Sequence, residues 1–129
     1  MYISEIIKFN KKDSEAELCI SDGDYSVICY AYPVKTVTEN QRVSVIHGIL
    51  CTEIVREFEQ IYSIHKLPQY YSYQLTAKVL SKKSSIVQIG DLIIHLDTDL
   101  PNDILEGEYV SFRVQRLDLG TIMMDNQAR

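Results

Sequence analysis

The usual catalytic signatures are missing from this chain. It contains no GxSxG, HExxH or GxxxxGK[ST] stretch, so a nucleophile elbow, a zinc helix and a phosphate loop are all without their sequence marks. The three cysteines, Cys19, Cys29 and Cys51, are odd in number and lack CxxC spacing, which gives neither a disulfide framework nor a metal cage. The opening "MYISEIIKFNKKD" places Glu5 where a secretory signal keeps an unbroken apolar stretch. Together these predict a reducing, cytoplasmic setting. The longest apolar run, around residues 25 to 34, is about half of the roughly 20 residues a spanning helix needs. No membrane partner is expected. Nor is there a Pro/Gly-rich or low-complexity stretch that reads as a linker, so residues 1–129 are expected to form a single domain. Positive charge is also short: 13 Lys and Arg stand against 18 Asp and Glu, a net charge of -5. That balance disfavours nucleic acid, whose binders neutralise phosphates, and favours a neutral or basic partner.

What is present is β-rich. With 46% hydrophobic and 24% charged residues, the chain can bury roughly two thirds of its unfolded surface. Residues 2–10, 15–21, 25–33 and 42–51 are rich in Val, Ile, Tyr and Phe and are bounded by turn residues, which predicts strands. Asp22-Gly23-Asp24 supplies the positive φ of a tight turn, so 15–21 and 25–33 should form an antiparallel hairpin. Alternation then puts Ala16, Leu18, Ile20, Tyr25, Val27, Cys29 and Ala31 on the core face. Glu15, Glu17, Cys19, Ser26, Ile28, Tyr30 and Tyr32 fall on the other. Cys19 and Cys29 point to opposite sides and read as free thiols.

Beyond residue 51 the period changes. Ile54, Val55, Phe58, Ile61, Tyr62 and His65 recur at helical spacing, which predicts an amphipathic helix over 52–66. Thr52 would cap its start, His65 and Lys66 suit its end, and Pro68 stops it. Strands are expected again at 70–83, 85–89, 92–98 and 108–119, with Gly90-Asp91 as a second hairpin turn; the tail 120–129 has too little pattern to place.

The halves 1–51 and 70–119 share short matches. Gly23-Asp24, Glu39 and Val43-Ser44 recur as Gly90-Asp91, Glu106 and Val110-Ser111, and with gaps Lys11-Lys12 and Pro33 recur as Lys82-Lys83 and Pro101. Either a duplication or chance recurrence among β units of like composition would produce them. The expected fold is mainly β (α+β): an antiparallel curved sheet or small barrel of about seven to eight strands. One helix, 52–66, would join two four-strand halves and cover an end or a face.

The chemistry-bearing candidates are few. Tyr30, Tyr32, Tyr70, Tyr71 and Tyr73 could stack bases or pack beneath the helix; packing is favoured, because Glu15 and Glu17 share the face of Tyr30 and Tyr32 and would repel phosphate. "HLDTD" sets His95, Asp97 and Asp99 on one side of a strand, a pattern open to a metal ion or to a plain polar face ending in a turn; the turn is favoured and no metal or cofactor is assigned. His47 with Cys51 lacks an oriented acid in sequence, and no catalytic residue is assigned. The leading expectation is a non-catalytic cytosolic binding protein acting on a basic protein partner, as an inhibitor or immunity-type protein acts on a basic toxin or nuclease. Its contacts would be Glu53, Glu57, Glu59, Asp97, Asp99, Asp103, Glu106 and Glu108, with Tyr30, Tyr32, Tyr70 and Tyr71 as aromatic anchors. One alternative is a barrel module for single-stranded nucleic acid using Lys78, Lys82, Lys83, Arg113 and Arg116. The other is a small-ligand barrel or enzyme with an interior cavity.

Overall fold

The protein is seen here as a computed structural model that describes residues 1–69 and 71–120, with the backbone alone at 122–123. Every regular element among these residues is a strand. They are β1 (Tyr2–Asn10), β2 (Glu15–Ser21), β3 (Ser26–Ala31), β4 (Arg42–Val43), β5 (Ile46–Ile49), β6 (Thr52–Glu57), β7 (Ser63–Lys66), β8 (Tyr73–Ser81), β9 (Ile86–Ile89), β10 (Leu92–Leu96), β11 (Tyr109–Val114), β12 (Arg116–Leu119) and β13 (Ile122–Met123).

The expected helix 52–66 is therefore corrected to strand β6, a loop, and strand β7. Its residues recur at a helical period, yet Ile54, Val55, Phe58, Ile61 and Tyr62 are β-branched or aromatic, the types that favour a pleated surface. The open edge of β11 offers β6 a ladder from Thr52 to Glu57, interrupted by one bulge, and β8 takes Ser63–Lys66 of β7. With interstrand hydrogen bonds available, tertiary pairing overrides the local period. Val55, Phe58 and Ile61 are exposed, so the stripe they were expected to form covers nothing.

The strand number and pairing are corrected as well. Thirteen strands form one open mixed sheet in the order β13-β4-β1-β2-β3-β12-β5-β10-β9-β8-β11-β6, with β7 beside the first part of β8. Two contacts are parallel, β3 with β12 and β5 with β10, where an all-antiparallel sheet was expected. The order reads the same from either end once each of β1 to β6 is exchanged with the strand seven places later, leaving β7 as the odd element. The turns at equivalent places agree in detail. Ser14 and Ser85 both have positive φ, and their N–H groups bond to the carbonyls of Lys11 and Lys82 at 3.3 and 3.2 Å.

The β2–β3 hairpin has the expected register, Ser21 opposite Ser26 and Ala16 opposite Ala31; of the expected inner face, Ala16, Leu18, Ile20, Val27, Cys29 and Ala31 are buried, and Tyr25 is partly buried against the core. It meets Leu75, Val87, Ile94, Val110, Phe112 and Leu117 from the other half in one hydrophobic core. Each fully buried side chain of this size contributes about 1.5–3 kcal/mol. Cys19 and Cys29 are free thiols, and burial, aided by the charge on Asp118, raises Cys29 well above a usual thiol.

Polar clasps tie the two halves. The Tyr73 hydroxyl, from β8, accepts the N–H of Ile28 in β3 at 2.9 Å. Asp22 accepts the N–H groups of Asp24 and Tyr25 at 2.8 and 2.7 Å, and that of Asp91, from the second hairpin turn, at 2.7 Å. Burial raises this carboxyl, but these amides and that of Asp22 itself outweigh it and hold it below its ordinary range. Gly90 lets the turns meet: its φ is +56°, and a Cβ there would lie 2.6 Å from Asp22 Oδ2 and 2.7 Å from the Tyr25 ring. No helix among the described residues is long and apolar enough to cross a membrane.

Candidate functional site

On the outer face of the central strands one register row runs through Lys8, Glu17, Tyr30, Asp118, His47 and His95, on β1, β2, β3, β12, β5 and β10 in turn. From Glu17 to His95, a neighbour of each on its strand, Leu18, Cys29, Leu117, Ile46 and Ile94, is buried in the core. Period-two alternation therefore commits the row from Glu17 to His95 to the outside, and Lys8 is itself exposed.

The row divides into two unlike parts. Around Tyr30 the polar groups satisfy one another. Its hydroxyl donates to Glu15 at 2.8 Å, a bond that raises its own ionisation above that of a free tyrosine. Arg116 lies over the ring at 5.0 Å from its centroid and donates from Nη2 to Asp118 at 2.8 Å. Tyr71 packs against Tyr30 with centroids 6.3 Å apart, and its hydroxyl donates to Glu17 at 3.2 Å. Tyr30 is thus packed, but under Arg116 and Tyr71 rather than under a helix. Tyr32, expected to be covered, is 65% exposed. Tyr70 lies outside the described residues, so the structure places only Tyr30 and Tyr71 of the four expected anchors together.

At the other part, His47 and His95 sit side by side on parallel strands with ring centroids 5.5 Å apart and planes tilted by 51°. Gly120 packs against His47: a Cβ there would lie 3.1 Å from Nε2 and 2.5 Å from the Val45 carbonyl. His95 does not combine with Asp97 in the metal pattern weighed for "HLDTD". Instead Asp97 accepts the N–H groups of Leu50 at 2.6 Å and Cys51 at 3.0 Å, and so holds the β5–β6 turn in which Leu50 has φ of 53°. Burial and the Asp97 charge push the Cys51 thiol up to about 12, far from a thiolate nucleophile. Among the described residues no group of three or more His, Cys, Asp and Glu is placed to hold a metal ion.

The expected acidic contacts gather elsewhere, around the end strand β6, and most have internal partners. Arg56 joins Glu108 at 2.9 Å and Asp103 at 3.5 Å, and the Leu105 N–H and Arg56 together lower the Glu108 carboxyl. Glu57 accepts the Ser111 hydroxyl at 2.8 Å, Glu53 pairs with Arg113 at 3.7 Å, and Glu106 accepts the Lys82 N–H at 3.2 Å. Asp99 borders a shallow depression with Lys83 and His95. Glu59 stands exposed in the loop after β6. Three of the five basic residues of the nucleic-acid alternative are also engaged: Arg113 with Glu53, Arg116 with Asp118, and Lys82 Nζ with the Asn102 carbonyl.

Two features escaped the sequence reading. Phe58 is 88% exposed, with Val55 and Ile61 also exposed on the same strand and loop; the signal was there, an aromatic between two glutamates, but it was assigned to a buried stripe. The meeting of His47 with His95 depends on a parallel pairing across 48 positions that no local pattern announces. No family model, curated protein or solved structure matches this chain.

Proposed function

We propose that this is a non-catalytic binding protein whose partner is a basic protein, in the manner of an inhibitor or immunity-type protein, and that it docks through β6 and the loop that follows. The reading rests on one observation: Phe58, 88% exposed, stands between Glu57 and Glu59 beside the outermost strand of the sheet. Apolar anchors rimmed by charge are what a protein interface uses, and an end strand leaves one row of backbone donors and acceptors unpaired for an incoming segment. The exposed Glu59 carboxylate, beside Glu57 and Glu53, which Ser111 and Arg113 already engage, favours a segment bearing Lys or Arg beside its apolar residues. The bulge opposite Ser111 and Arg113, where Glu53 has φ of 58°, bends the strand's start and confines straight pairing to its second half. Base stacking is less well supported, because Arg116 and Glu15 already occupy the face and hydroxyl of Tyr30.

The test is purification from the native cell at low salt, using the unaltered chain and a Phe58→Asp, Glu59→Lys variant. A stoichiometric partner of basic isoelectric point should accompany the former, be lost from the latter, and dissociate as salt rises. Recovery of the unaltered chain alone, or equal retention by the variant, would count against the reading.

A further inference from the structure

We propose that His47 and His95 form a two-imidazole site for a late first-row divalent ion, with Cu2+ preferred over Ni2+ and Zn2+, on the outer face of β5 and β10. The inference is independent of the partner-binding reading. Three observations carry it. The residues are exact register partners, flanked in register by Ile46 with Ile94 and Gly48 with Leu96. These neighbours are buried, so the backbone beneath the pair is anchored in the core. The rings are 5.5 Å apart between centroids. An ion bound about 2.0–2.1 Å from each nitrogen needs the two nitrogens within roughly 4 Å of each other, which rings at this separation reach by turning edge toward edge.

Finally, among the described residues neither ring has a hydrogen bond, and two nearby carboxylates are already held, Asp118 by Arg116 and Asp97 by two backbone amides. Gly120 packs close to His47 Nε2, where a Cβ would come within 3.1 Å. Asp99 lines the depression beside His95 with Asp97 and Lys83, adding an excess of negative charge that favours a cation. Imidazole suits copper, nickel and zinc, and their order of affinity at a given site places copper first. Water would complete the coordination.

The experiment titrates tag-free full-length protein with CuCl2, NiCl2 and ZnCl2 separately in a non-coordinating buffer, following heat, and adds the electron paramagnetic resonance spectrum of the copper form. One ion per chain is expected, with copper bound most tightly and its spectrum split by two nitrogens. His47→Asn and His95→Asn should each weaken binding at least about tenfold. His65→Asn, on exposed β7, should bind like the unaltered chain. Absence of binding, a spectrum without two nitrogens, undiminished binding by His95→Asn, or equal loss in His65→Asn would overturn the site. Circular dichroism monitors folding, and should His47→Asn unfold, the exposed His95 decides the question alone.

Discussion

The parallel pairs β3–β12 and β5–β10 occupy equivalent places in a strand order that reads alike from both ends, yet their outer faces are furnished in opposite ways. On β3–β12, Tyr30 and Asp118 are knitted to Glu15 and Arg116 by short polar contacts. On β5–β10, His47 and His95 lie against each other, with Gly120 beside His47. Since the inner residues of both pairs are buried in the same core, the scaffold is common and the difference lies in side chains that the fold does not require. A self-satisfied network adds stability; a pair of unengaged donors is available to something else.

The most severe way to break the comparison is to remove what both sides share. Phe112→Ala, in the fully buried centre, should cost about 3–5 kcal/mol, read as a fall in the denaturant midpoint. Next comes the clasp between the hairpin turns. Gly90→Ala forces a side chain into a left-handed backbone against Asp22 and Tyr25 and should cost about 1–3 kcal/mol, measurable by thermal melting. Asp22 also gives the clasp a pH signature. Its carboxyl lies lower in the folded than in the unfolded chain, so its contribution is complete above the ordinary carboxylate value, about 3.9, and is lost as pH falls from there through the lowered folded value. Asp22→Asn should therefore be less stable at neutral pH and show a shallower loss between about pH 5 and 3.

Smaller effects sharpen the contrast between the two faces. Tyr30→Phe removes the donor to Glu15 and should cost about 0.5–1.5 kcal/mol, whereas His95→Asn should stay within about 0.5 kcal/mol in metal-free buffer; equal costs in chemical denaturation would erase the distinction. Least of all for stability, Phe58→Ala should change unfolding by under about 0.5 kcal/mol while abolishing retention of a partner in the pull-down.

The β2–β3 hairpin was legible because an Asp-Gly turn and strict alternation are local signals, and they specify register and faces together. The Lys-Lys and Gly-Asp recurrences fall at turns that occupy equivalent places in the sheet. Residues 52–66 were misread because short runs of Ile, Val and Phe satisfy a helical period and a strand about equally well; what decided between them was the vacant edge of β11 and of β8, formed by residues distant in the chain. The acidic residues are expected from sequence to contact a partner, but Arg56, Arg113 and Lys82 neutralise or engage several of them, and sequence does not report who stands opposite whom.

By itself the sequence determined a mainly β chain, its first hairpin with both faces, the free thiols and the acid excess, since composition, turn chemistry and side-chain alternation act over a few residues. The tertiary structure alone decided that 52–66 would be strands, that two contacts would run parallel, that Tyr30 would lie beneath Arg116, and that two histidines 48 positions apart would meet. Those outcomes depend on which strand edges remain open after the hairpins have formed, and that competition is settled only when the whole sheet assembles around its core.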